Sequence, residues 1–200
     1  MTLDPERFPR ASAYLRSLPD GWNSYPECQA RAETGRMAVL DFPQLLERGV
    51  EPAIRERIQR AVTSEEWIPD VMGTALRLMV RDVALTTDQA FLTWNFDLAM
   101  KVFSSPVYRM LMFVLSPSLV LMGGARRWGT FRRGTTLVPD GDKTSARLAV
   151  TYPRGLYPEL MARALGEAFR ASLTAARAQS VRLDLTAHSD TAARWTAAWK

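Results

Sequence analysis

Residues 146–152 read ARLAVTY, residues 158–176 read PELMARALGEAFRASLTAA, and residues 181–199 read VRLDLTAHSDTAARWTAAW. Leu148, Val150 and Tyr152 alternate with Arg147, Ala149 and Thr151, the period-two signature of a strand with one wet face. Thr135 to Val138 precedes it across Pro139-Asp140-Gly141-Asp142, a turn sequence in which proline presets φ and glycine accepts a positive φ. In Pro158–Ala176 the period changes to that of a helix: Met161, Leu165, Phe169 and Leu173 fall on one side, and Arg163, Glu167, Arg170 and Arg177 on the other. A second hairpin follows, with Val181, Leu183 and Leu185 on one strand, Trp195, Ala197 and Trp199 on the return, and a turn near Ser189-Asp190. Two hairpins flanking one amphipathic helix predict a four-stranded antiparallel sheet roofed by that helix. Gly166, among the helix's inward residues, costs about 1 kcal/mol relative to alanine, so a close approach to a strand is expected there.

Upstream, the chain reads as helices. Ala11–Leu18 is stopped by Pro19-Asp20-Gly21. Tyr25–Leu40 carries a weak stripe, Phe42–Arg48 starts with Pro43 and is closed by Gly49, and Glu51–Val62 repeats Ile54, Ile58 and Val62 before a break at residues 63–66. Pro69–Leu85 sets Val71, Ala75, Leu78, Met79 and Val83 on one face. Thr87 stands as a cap before a helix whose stripe is Phe91, Trp94, Leu98 and Val102. Ser105-Pro106 and Ser116-Pro117 each supply a cap residue followed by proline at the first helical position, predicting helices over 107–115 and 118–131. The expected fold class is therefore α+β: an N-terminal helical bundle packed on a four-stranded antiparallel sheet. The expected organisation is one domain over residues 1–200, with a mainly helical part to 133 and the hairpin–helix–hairpin from 134. Such a chain of 22.5 kDa suits one core or one core with a small subdomain.

Composition excludes several chemistries. One cysteine, Cys28, allows no intrachain disulfide and no Cys-only zinc site, and one histidine, His188, removes any site that needs two imidazoles. Glu65-Glu66 and Asp140 with Asp142 read as solvated caps and turns, so no metal is expected. His188 beside Ser189 and Asp190 does not make a triad, because neighbours in a tight turn cannot reach the relay geometry. No catalytic residue is assigned. The longest apolar run, Met110–Met122, is shorter than the roughly 20 residues that cross a bilayer and holds Pro117; it reads as a buried helix pair. The opening residues lack the basic start and apolar run of a signal peptide, and a cytoplasmic location is expected.

The net charge of +5 is uneven, with an acidic first hundred residues and a basic second hundred. Arg126, Arg127, Arg132 and Arg133 lie within eight residues around Trp128, and guanidinium forks bind carboxylate or phosphate. Arginines also gather at helix C-termini through the macrodipole. The basic half shows no dense cationic stripe interleaved with aromatics, so nucleic acid is not expected as a partner. Trp94, Phe91, Met110, Met112, Phe113, Met122 and Trp128 form an aromatic and methionine-rich set. That set suits ordinary core, an apolar ligand pocket or a dimer face.

The runs FPRASAYLRSLPDGWNSYPECQAR, WIPDVMGTAL, SSPVYRML, RRWGTFRRGT and the closing RWTAAW together resemble a family of myxobacterial paralogous proteins of about this length with no assigned function. Trp128-Gly129, Phe131 and Gly134, followed by hairpin, helix and hairpin, are similar to the 4-vinyl-reductase and TRAPP-subunit-like fold. That resemblance implies small-ligand sensing or dimeric scaffolding. Haem-binding relatives hold iron through a histidine on a helix; His188 falls in the terminal hairpin, so no cofactor is expected. The leading expectation is a non-enzymatic cytoplasmic regulatory or interaction protein with a homodimer or partner interface on its helices and an apolar small-ligand pocket. The alternative is an enzyme or carrier that takes an anionic ligand on Arg126–Arg133. Candidate ligand or partner residues are Arg126, Arg127, Trp128, Arg132, Arg133, Trp94 and Phe113.

Overall fold

The computed structural model describes residues 2–105 and 116–200. It is an α+β protein, with helices in the N-terminal part and a four-stranded antiparallel sheet in the C-terminal part. The chain forms two compact units. The first holds residues up to 91 together with 131–134 and 154–156; the second holds 92–130, 135–153 and 157–200.

In the first unit, α1 (Pro9–Ser17), β1 (Gln29–Arg31), α2 (Ala32–Asp41), α3 (Pro52–Ser64), β2 (Trp67–Pro69) and α4 (Asp70–Val83) follow in order. The helix α4 is the centre of this unit: every residue from Asp70 to Arg81 is buried. The sequence stripe marks one face of it, but α1 and α2 pack on it together with β1 and β2, so its polar side is enclosed too. Its buried Arg81 is accommodated by Asp88 Oδ1 at 2.7 Å and the Leu85 carbonyl at 2.7 Å. Asp82 reaches the start of α1, accepting hydrogen bonds from the backbone N–H groups of Arg10 (3.0 Å) and Ala11 (3.1 Å), where α1 has no side-chain cap of its own.

Three expectations are corrected here. Tyr25–Leu40 is not one helix: Tyr25 has φ +54° and residues 29–31 form β1, so helical structure begins only at Ala32. Phe42–Arg48 is a single 3-10 turn, Pro43–Leu46. The helical half also contains a three-stranded antiparallel sheet in the order β2-β1-β3, where β3 is Arg132–Arg133. Gly134 follows β3 at φ +71°, and a Cβ there would stand 2.6 Å from Cys28 Sγ and 2.8 Å from the Glu27 carbonyl. Only glycine fits that crossing of two chains.

The helix α5 (Asp88–Phe103) is capped by the Thr87 hydroxyl, which accepts from the Ala90 N–H at 3.1 Å; its first residues belong to the first unit. The rest of α5 lies in the second unit with α6 (Pro117–Arg126), β4 (Thr136–Gly141), β5 (Ser145–Thr151), α7 (Glu159–Ala175), β6 (Arg182–His188) and β7 (Ala192–Ala198). The expected helix over 107–115 lies outside the described residues. The helix expected over 118–131 ends at Arg126 and gives way to a 3-10 turn, Trp128–Thr130. Ser116 caps it as the sequence predicts, accepting from Leu119 N–H.

The C-terminal sheet has the order β4-β5-β7-β6, all antiparallel, with Leu148 opposite Trp195 and Val150 opposite Ala193. The first hairpin differs from expectation in one detail: β4 runs through Pro139 and Asp140 to Gly141, and Asp142 makes the turn by accepting from the N–H groups of Thr144 and Ser145, each at 2.9 Å. The helix α7 lies on the sheet, and a Cβ on Gly166 would stand 2.9 Å from Trp195 Nε1 and 3.0 Å from Leu183 Cδ2. The close approach expected of this glycine is present. Phe169 continues the contact, edge-on to Trp195 with ring centroids 5.4 Å apart.

Candidate functional site

The arginine cluster is divided by strand alternation. In the three-stranded sheet, Ala30 stands opposite Ile68 and Arg132, while Arg31 stands opposite Trp67 and Gln29 opposite Arg133. Successive side chains on a strand face opposite ways, so Arg132 turns inward with the buried Ala30 and Ile68, and Arg133 turns outward with Gln29, Arg31 and Trp67.

Arg132 is held by a carboxylate. Its Nη1 lies 2.6 Å from both carboxylate oxygens of Asp70, the first residue of α4, which is 2% exposed. A carboxylate there also meets the positive end of the helix. Around this pair the interior is polar. Tyr14 donates its hydroxyl hydrogen to the Leu156 carbonyl at 3.0 Å, and burial, aided by the Asp70 charge, pushes that phenol well above its ordinary range. Cys28 Sγ lies 3.4 Å from the Gly134 carbonyl; burial first, then the charges of Glu27 and Asp70, push the thiol up to about 12. A thiol held in that form is a poor nucleophile.

Arg133 is exposed. Its guanidinium carbon lies 3.9 Å from the centroid of the Trp67 ring and its Nη1 donates to Gln29 Oε1 at 3.1 Å. The Arg31 guanidinium lies 4.6 Å from the same centroid and is paired with Glu66. Nothing in the sequence links positions 29, 31, 67 and 133, because the face is assembled by strand register alone.

The other candidates belong to the second unit. Arg126 and Arg127 are exposed at the C-terminal end of α6, and the Arg127 N–H donates to the Gly123 and Gly124 carbonyls. Trp128 is half-buried, donates its indole N–H to Thr135 Oγ1 at 3.0 Å and packs on Phe169 at 6.1 Å. Trp94 is half-buried on α5. Phe113 lies outside the described residues, as do Met110 and Met112. The described end of the run 110–122 is buried only on one side: Val120 and Leu121 are buried, but Leu119 is 56% and Met122 44% exposed. His188 is exposed, and its Nε2 lies 2.9 Å from the Tyr157 carbonyl, which can only accept, so that nitrogen carries the hydrogen.

Surface depressions among the described residues include two of different composition. One of about 390 Å³ is lined by Asp140, Asp142, Ser145, Arg147 and Thr196; another of about 570 Å³ by Leu3, Asp4, Arg16, Val50 and Glu51. Neither is lined by Trp94. Among the described residues, no group of three His, Cys, Asp or Glu side chains is placed to hold a metal ion, and no helix is long and apolar enough to cross a membrane.

Fold and site together define an α+β protein with a guanidinium-rich sheet face. No family model matches the chain, and no curated protein matches it. Among solved structures it is similar to a point mutant of T. tengcongensis H-NOX, with 11% identity over 97% of each chain and a TM-score of 0.41. At that level the chemistry has to be read from this chain's own residues.

Proposed function

We propose that this is a regulatory or interaction protein that works by association through α6 rather than by catalysis. The observation that carries the reading is the outer face of that helix. At 100° per residue, Leu119, Met122, Gly123 and Arg126 fall on one side and the buried Val120 and Leu121 on the other. An exposed leucine and methionine one turn apart are a contact surface in search of cover. A second copy of the chain suits it. In an antiparallel two-fold pairing centred between Met122 and Gly123, Arg126 of one copy lies beside Leu119 of its partner, so like charges are kept apart. Gly123, where a Cβ would meet nothing within 4 Å, lets the two backbones approach. The residues that would otherwise suggest covalent chemistry support the same reading, since Cys28 is a sealed thiol and His188 is bonded to a backbone carbonyl.

The experiment is light scattering on the purified chain at tens of micromolar, beside Leu119→Asp and Met122→Asp. A dimer that both substitutions convert to a folded monomer supports the reading. A wild-type monomer, or a dimer indifferent to both, refutes it.

A further inference from the structure

We infer that the outer face of the three-stranded sheet, built from Gln29, Arg31, Trp67 and Arg133, is a binding site for an oxyanion, the phosphate or carboxylate group of a small molecule. It lies in the first unit and does not depend on the association proposed for α6.

The argument begins with the two guanidinium groups that share one indole. Arg31 and Arg133 sit 4.6 and 3.9 Å from the Trp67 centroid, and two like charges on one ring repel each other. Glu66 matches the charge of Arg31. Among the described residues no carboxylate matches that of Arg133, so the face keeps one net positive charge. Its neighbour Gln29 offers only a neutral amide. On the inner side of the same strand the opposite solution is present, because Arg132 is closed by Asp70. Adjacent arginines thus have opposite fates: one is consumed inside the fold and the other is left outside with its charge unspent.

The geometry suits a ligand. Stacking against Trp67 fixes the plane of the Arg133 guanidinium, which lowers the entropy lost when its edge takes an anion. One of its five N–H groups is occupied by Gln29 Oε1, and the remaining donors match the spacing of carboxylate or phosphate oxygens. Gln29, with its oxygen on Arg133, still carries an amide NH2 that can only donate. Arg31 adds a second cation to the face, and the Glu66 carboxylate paired with it repels the ligand.

That repulsion gives the test two signs. The 200-residue chain is titrated with inorganic phosphate, and separately with acetate, at ionic strength held constant with sodium chloride; binding is read by calorimetry and by thermal shift. Saturable binding of either anion above the chloride control supports the site, and the anion that binds identifies the group. Arg133→Gln is expected to weaken that binding at least tenfold, and Glu66→Gln to strengthen it severalfold by removing a negative charge from beside the site. Arg127→Gln, just past the end of α6, is expected to leave it unchanged. Circular dichroism confirms that each variant is folded. A chloride-equivalent response, wild-type affinity in Arg133→Gln, or a loss that follows Arg127 instead would overturn the inference.

Discussion

Replacing Gly166 by alanine tests the contact on which the C-terminal fold depends. In a free helix the change stabilises by about 1 kcal/mol, because glycine loses more backbone entropy on folding. Here the added methyl would stand 2.9 Å from Trp195 Nε1, 3.0 Å from Leu183 Cδ2 and 3.1 Å from Trp195 Cδ1, against the 3.5–4.0 Å of an ordinary carbon contact. Trp195 cannot swing aside. It is 1% exposed, stands opposite Leu148 on one neighbouring strand and Leu185 on the other, and meets Phe169 edge-on. Overpacking of this kind costs about 1–3 kcal/mol, so the net effect is a loss of about 1 kcal/mol. Gly124 on α6 supplies the control, because a methyl there meets nothing within 4 Å, and its alanine variant should gain up to about 1 kcal/mol. Urea unfolding followed by circular dichroism at 222 nm measures both. The two alanine variants should differ by about 2 kcal/mol, with Gly166→Ala the weaker. Equal stability, or a more stable Gly166→Ala, would show that α7 does not press on the sheet at this point.

Three further outcomes follow from the first unit. Arg132→Met leaves the Asp70 carboxylate buried without its guanidinium and should cost about 3–5 kcal/mol in urea unfolding; adding Asp70→Asn should restore part of the loss, and a double variant no better than the single would contradict the pairing. Cys28 should resist a thiol reagent at pH 8 until the protein unfolds, so rapid labelling of native protein would argue against burial. Its titration also has a sign: between the ordinary thiol value of 9.0 and about 12, the unfolded chain releases a proton that the folded chain keeps, so stability should fall as pH rises through that window and Cys28→Ala should remove that part of the slope. Burial likewise raises the Asp82 carboxyl above its ordinary 3.8, against the hydrogen bonds from Ala11 and Arg10. The folded state therefore keeps that proton longer, and the stability advantage of wild type over Asp82→Asn should shrink as pH rises past 4 in chemical denaturation; a widening gap would reverse the assignment.

What the sequence shows and hides divides along the range of the interactions. The hairpin–helix–hairpin is legible because its elements are long enough for a period to repeat, and because each hairpin pairs two strands adjacent in sequence. Gly166 is legible for a related reason, as a residue that its helix would not choose unless something pressed on it. The strands Gln29–Arg31, Trp67–Pro69 and Arg132–Arg133 are too short to establish alternation, and each is stabilised by partners dozens of residues away. Local reading therefore assigns the first of them to a helix that in fact starts later. The cluster Arg126–Arg133 shows the same limit more sharply. Composition counts four equivalent cations there, but one residue of register decides that Arg132 meets Asp70 inside and Arg133 meets Trp67 outside. Charge is a property of the sequence, whereas the availability of a charge is a property of pairing. The binding capacity of this chain thus depends on three strands totalling eight residues, and a shift of one residue in β3 would exchange the roles of its two arginines.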